Sequence, residues 1–330
     1  MLEKYAIAGG QLARREDGKG ASVLVYVAPT DEERRSLIDD YALDPYDIAS
    51  ALDPDELGRV EITGRRAVII VKQPCNYNSQ DQLLFTVASM GLFLEAKRLI
   101  VVAPEPLELF SDKIVRKVAA PRDVLLKVLY GCIAHFLGHL KVINMISEAI
   151  EKRVNQSMGN KYLLDMFTLE KSLVFFVNGI SSNQMVLEKM RAAAGKLKFG
   201  AEQRDILDDI LIENQQCGKQ AEIYSNILAG LMDARGSVVN NNLSILMKKL
   251  TVISVVFMPM NVIAGMGGMS EFSSWTPGIP WWISYPLFLL GLAGIGFLTY
   301  RALKGWGAGI QDYELPRGRR KSPRGGPAQR

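Results

Sequence analysis

Oxygen-bearing side chains recur in steps of four and three along one stretch of this chain. The positions are Asp233, Ser237, Asn240, Ser244, Met247, Thr251, Ser254, Met258, Asn261 and Gly265, and seven of these ten carry polar side chains. Carboxylate, hydroxyl and amide oxygens are acceptors, and a glycine leaves its backbone open. Such groups suit hard cations and the water shells around them. A repeat of about 3.5 residues puts all ten on one seam of a gently supercoiled helix. At ~1.5 Å per residue the seam is roughly 50 Å long. It ends at the first glycine of GMGGMSEFSSWTP, Gly265 to Pro277, a run with a single charge, Glu271.

The element carrying the lower half of this seam is otherwise apolar. No charged residue occurs from Leu250 to Ser270, and none from Phe272 to Tyr300. A helix crosses a bilayer with about 20 mainly apolar residues. Residues 250–270 are therefore an expected first span, 281–300 a second, and 271–280 the loop between them. Val124 to Ile143 is also apolar, but it holds Lys127, His135, His139 and Lys141 and is not expected to span. Polar groups at membrane depth are costly unless they face protein or water. Helix packing accounts for small and polar residues in a span. It does not require an acid at the cytosolic end or an Asn mid-span, whereas a water-lined conduit accounts for both. Two helices cannot enclose a conduit, so that reading requires several copies around an axis.

Charge orients the hairpin. Lys248 and Lys249 precede the first span, and Arg301 and Lys304 follow the second. Positive flanks stay cytoplasmic, which puts both termini inside and the glycine-rich loop outside. The whole chain is +4, and residues 301–330, with eight basic and two acidic side chains, carry +6 of it. Beside a membrane exit this basic tail reads as a disordered lipid-facing segment rather than a nucleic-acid arm. MLEKYAIAGGQLARRED lacks the apolar core of a signal peptide. Cys75, Cys132 and Cys217, odd in number and far apart, suit a reducing compartment.

Upstream, residues 1–120 read as an α/β domain. KYAIAG, ASVLVYVA, RVEITGRRAVIIVKQP and LLFTVASMGLFLEAKRLIVVAPEP are strand-like, and Thr30-Asp31-Glu32-Glu33 opens a helix with a capping threonine. Residues 121–249 turn helical, with no proline between Pro121 and Pro259. The fold class is thus an α/β cytosolic domain, then long stalk helices, then a two-helix transmembrane hairpin, with 301–330 as the basic cytoplasmic tail.

From Leu231 onward the residues resemble the CorA family of divalent-cation channels. That family carries L-x-D-x-Y-x-S, then S-N-x-x-N-x-x-M-K-x-L-T, then F-x-P-x-x-x-I-A-G, and closes on Y-G-M-N. This chain supplies Leu231, Asp233, Ser237, Asn241, Met247, Lys248, Leu250 and Thr251. Phe257, Pro259, Ile263, Ala264 and Gly265 follow, then Gly268, Met269 and Ser270, without a gap. The resemblance implies a homopentamer in the plasma (inner) membrane, not an enzyme, whose first span lines the pore. Family pore positions fall on Asp233, Ser244, Met247, Met258, Asn261 and Gly265, which the seam already contains. The selectivity ring falls on Gly268, Met269 and Ser270. Departures are Gly267 for Tyr and Ser270 for Asn in the signature, Arg235 for Tyr and Ser244 for Asn in the stalk, and Asn261 for Thr.

Mg²⁺ gives up its waters reluctantly, so a filter can hold the hydrated ion through acceptors. A Ser hydroxyl is shorter than an Asn amide and both donates and accepts. Glu271 can offset this as a ring of negative charge at the mouth. Mg²⁺, transported and regulatory, is the expected ion, with Co²⁺ and Ni²⁺ beside it. The alternatives are Zn²⁺ transport of a ZntB-like branch, or a poorly conducting sensor or scaffold.

Two further constellations bear on metals. Cys132, His135 and His139 fall on one helix face and are soft ligands able to hold Zn²⁺; a buried face is the competing reading. Asp205, Asp208, Asp209 and Glu213 cluster acids across helical turns, either as a solvated face or as a regulatory Mg²⁺ site between subunits. There is no P-loop, GxSxG or HExxH motif.

Overall fold

A computed structural model of the chain describes residues 1–15, 20–64, 66–75, 83–106, 117–154, 161–267, 274 and 277–307. The chain divides into two compact units, Met1–Ala234 and Arg235–Arg330.

In the first unit, strands β1 (Leu2–Ala8), β2 (Gln11–Arg14), β3 (Val23–Val27), β4 (Arg59–Thr63), β5 (Arg66–Pro74), β6 (Val87–Leu94) and β7 (Leu99–Ala103) make one sheet. Its order is β2-β1-β3-β7-β6-β5-β4. Only β3 and β7 run parallel; every other neighbouring pair is antiparallel. The central strands are near-continuous Val, Ile and Leu because both faces are covered. Val23, Val25, Ile69, Leu99 and Val101 face one core, shared with helices α3 (Pro121–Val154), α4 (Lys161–Ala192) and the start of α5 (Ala201–Gly267). Leu24, Tyr26, Ile70, Ile100 and Val102 face a second core under α1 (Asp31–Asp39) and α2 (Pro45–Leu52). Each such side chain, when fully buried, contributes about 1.5–3 kcal/mol.

Local chemistry sets the element ends. Thr30 caps α1 in a full capping box with Glu33. Asp44 accepts from the Tyr46 amide at the start of α2, where Pro45 sits at the first turn. Asp123 accepts from the Ala119 and Ala120 amides ahead of α3. Gly91 of β6 lies beneath α2: a Cβ there would come 2.5 Å from the Ala51 Cβ.

β4 stops pairing at Arg59 opposite Ile70. The edge of β5 beyond it is closed from α4 instead. Asn183 accepts from the Lys72 amide at 2.7 Å and donates to the Lys72 carbonyl at 2.7 Å, standing in for a strand. The Lys72 ammonium donates to Pro54 O at 2.6 Å and Ser89 Oγ at 3.0 Å. Burial lowers its pKa, against the pull of Asp55, Asp53 and Glu56.

Among the described residues, three helices are long and apolar enough to cross a membrane by length and composition: α5, the final helix and α3, the last not expected to span from its charged and histidine residues. Half of the α3 window is buried inside the protein, whereas none of the α5 window is. The apolar residues of α3 are core: Val124, Leu125, Val128, Ile133 and Phe136 pack under the sheet.

The second unit holds the rest of α5 and α6 (Trp281–Gly307). α6 continues past Tyr300 through Arg301 and Leu303 to Gly307, where the sequence reading begins a disordered tail. Arg301-Ala302-Leu303 are good helix formers with no proline to stop the ladder.

Candidate functional site

Three sectors divide the circumference of α5 within the second unit. Val252, Val256, Pro259, Met260 and Ile263 are partly buried. The matching face of α6 is Ser284, Phe288, Leu292, Ile295, Gly296 and Thr299, with Ser284, Leu292 and Gly296 buried. A Cβ on Gly296 would meet Met260 Sδ at 2.8 Å, so glycine is what lets the two helices approach here.

The polar seam lies elsewhere. Thr251, Ser254, Met258, Asn261 and Gly265 are all exposed, Met258 by 70%. They are offset by about two residues from the packed set, roughly 200° around the helix. The hairpin therefore packs through the apolar face and leaves the polar face uncovered. Between the two sectors lie exposed Ile253, Val255, Phe257 and Val262, which suit lipid or another apolar surface.

Three hydroxyls of the seam are already committed as donors. Ser244 Oγ donates to Asn240 O at 2.9 Å, Thr251 Oγ1 to Met247 O at 2.8 Å, and Ser254 Oγ to Leu250 O at 3.0 Å. Each thereby satisfies its proton within the helix and keeps lone pairs to offer. A row of such groups is an acceptor surface, matched to waters that donate outward from a cation. Ser237, Asn240 and Met247 continue the exposed row toward the start of the unit. Asp233, also exposed, belongs to the first unit. Gly268, Met269, Ser270 and Glu271 lie outside the described residues.

Among the described residues, no group of three or more His, Cys, Asp or Glu is placed to hold a metal ion. That corrects the Cys132–His135–His139 reading within one chain. His135 and His139 do meet, Nε2 to Nε2 at 2.9 Å, but as a hydrogen-bonded pair. Burial, then the neighbouring His135, pushes the His139 pKa down to about 4, so it stays neutral at pH 7. Cys132 is packed in the core, and burial pushes its thiol up to about 12, away from the thiolate a metal needs. Asp205, Asp208 and Asp209 do not form a three-ligand cluster in one chain either. Asp208 takes Arg191 through two contacts, 2.7 Å to Nε and 3.3 Å to Nη2, while Asp205 and Asp209 are exposed.

The packed face of α5 is a feature the sequence reading did not identify. Its signal was present as Val252, Val256, Met260 and Ile263 at helical spacing, paired with a glycine on α6.

Comparison with known proteins bears on the family and the fold. The family model described as CorA-like Mg2+ transporter protein matches residues 20–300. The Cobalt/magnesium transport protein CorA of Thermotoga maritima is 32% identical over 105 residues, 31% of this chain and 28% of that protein. The match thus spans under a third of that relative's length. The protein of the same name from Methanocaldococcus jannaschii is 23% identical over 252 residues, 73% of this chain and 77% of its own. The complete structure of the CorA magnesium transporter from that organism superposes with a TM-score of 0.73 at 18% identity, over 92% of this chain and 96% of that one. With an α/β first unit, a long helix carrying the polar row and a closely packed helical hairpin, the chain belongs to the CorA-like Mg2+ transporter family.

Proposed function

We infer that the chain is one subunit of a homopentameric channel in the plasma (inner) membrane that carries hydrated divalent cations, Mg²⁺ first among them. The α5 row lines the ion path, and both termini are cytoplasmic. One observation carries this reading: the polar row occupies the face of α5 opposite its own hairpin partner. Exposed Ser, Thr and Asn in an apolar span need water or protein to face. Copies of the chain around an axis provide both.

The chemistry follows from the ion. Mg²⁺ keeps its waters, and those waters donate outward. Back-bonded Thr251 and Ser254 and the Asn261 amide accept from them. A 100 mV potential, negative inside, supplies about 2.3 kcal/mol per elementary charge, so roughly twice that for a dication. Gly268, Met269 and Ser270 form the entrance ring, and Glu271 concentrates cations beside it. Exposed Asp205 and Asp209 act as regulatory Mg²⁺ ligands only with acids from a neighbouring subunit.

Zn²⁺ is the second reading, favoured by one residue: Ser270 replaces the amide of the family signature. The test is metal-resolved flux into proteoliposomes made with the full chain. Mg²⁺ uptake above empty liposomes is expected, and Ser270→Asn should raise its rate or affinity. Proton-coupled Zn²⁺ flux with little Mg²⁺ would select the second reading. Equality with empty liposomes for Mg²⁺, Co²⁺, Ni²⁺ and Zn²⁺ would refute both.

A further inference from the structure

Within the first unit, and apart from the α5 row, a cavity of about 370 Å³ opens between the β4–β5 turn, the β6–β7 turn, the first turn of α3 and the α4–α5 connection. That is within the roughly 300–1,000 Å³ typical of small-molecule sites. Its walls carry Arg66, Arg122, Lys196 and Lys198 against one carboxylate, Glu95. Glu95 is already neutralised: Arg66 donates to it from Nε at 3.0 Å and Nη2 at 2.5 Å. Arg66 also donates to Ala42 O and Tyr41 O, at 2.6 and 2.5 Å. Arg122 donates from Nε to Leu197 O at 2.9 Å, which ties α3 to the α4–α5 connection. Among the described residues, Arg122, Lys196 and Lys198 form no ion pair. Three cations thus share one concavity with no carboxylate left to balance them.

Lys198 adds an independent observation. Its φ is +58°, in the left-handed region. Phe199 N donates to Ala194 O at 3.0 Å and Lys198 N to Gly195 O at 3.2 Å, the pair of bonds that closes a Schellman turn. Glycine is the favoured residue at that position, and a lysine there is strained. Folding alone does not call for this lysine; a cation at the cavity does.

We propose that the cavity binds a small phosphate-bearing anion of nucleoside-diphosphate size, its phosphates on Arg122, Lys196 and Lys198 and its apolar part against Ile62 and Leu94. Charge-assisted bonds from ammonium and guanidinium to phosphate supply the recognition. The site differs from the cation path in sign and in residues, so it stands or falls apart from the transport reading.

The test is calorimetric titration of the purified full chain in detergent, with EDTA present so that no metal bridges the partners. ADP and inorganic pyrophosphate are the probes. Saturable binding of ADP, displaced by pyrophosphate, is expected. The double variant Lys196→Ala/Lys198→Gly should weaken it by about tenfold or more while melting no earlier than wild type, because glycine suits that backbone. Absence of binding by both probes at millimolar concentration overturns the proposal. So does equal affinity in the double variant, which would assign the heat to the basic C-terminal residues.

Discussion

Asn183→Leu isolates one polar contact on which the first unit depends. The leucine matches the amide in size, so little cavity is left, but the Lys72 amide and carbonyl both lose their partner. Lys72 and Asn183 are 7% and 4% exposed, so water reaches neither backbone group freely. An orphaned buried backbone group costs about 1–3 kcal/mol, which gives roughly 2–6 kcal/mol for the pair. For a unit of this size, about 2–4 °C is lost per kcal/mol, so Tm should fall by roughly 4–24 °C. Calorimetry of the full chain in detergent is the suitable assay. Tryptophan emission is not, because Trp275, Trp281, Trp282 and Trp306 all lie in the second unit. A shift below about 1 °C would refute the reasoning and mean that water or a rearranged β4 takes over both bonds.

Three further outcomes are expected. Gly91→Val forces carbon against Ala51 and Phe93 under α2, and should cost about 1–3 kcal/mol or more in a thermal melt. Gly296→Val should lower the stability of the hairpin in detergent by pushing on Met260, whereas Gly294→Val, with nothing within 4 Å, should not. His139 titrates at about 4 in the folded chain against about 6.5 unfolded. Between those values the unfolded state holds the proton and the folded state does not, so stability falls as pH drops through that window. After discounting for the partly solvated ring the loss is about 1–2 kcal/mol, and His139→Gln should flatten the dependence of Tm on pH between 7 and 4.5.

The parts of the fold carried by local pattern were legible in the sequence. Thr30 with Glu33 announced α1, and Val, Ile and Leu runs announced strands covered on both faces. The four-three repeat by itself placed Ser254, Met258, Asn261 and Gly265 on one face of α5. Features that join distant segments were not legible. Asn183 meets Lys72 across 111 positions, and no periodicity links them. Arg66 reaches back to Tyr41 and Ala42 for the same kind of reason. Spacing put Cys132, His135 and His139 on one helix face. It did not disclose that the face is packed beneath a sheet with two phenylalanines, Phe85 and Phe176, against His139. Lys127, His135, His139 and Lys141 set α3 apart from a span in the sequence, although its length and mean hydropathy would allow a crossing; the sheet that covers α3 accounts for its apolar residues.

The most direct test of the central claim is position-resolved block of Mg²⁺ flux. Single cysteines are placed at Ser254, Met258 and Asn261 on the polar row, and at Val252, Val256 and Ile263 on the packed face, with Cys75, Cys132 and Cys217 replaced by alanine. Proteoliposome uptake is measured before and after a charged, water-soluble thiol reagent. Block at the three row positions, with little effect at the packed ones, is the predicted result. Equal block on both faces, or block confined to the packed face, would contradict a pathway lined by the polar row of α5.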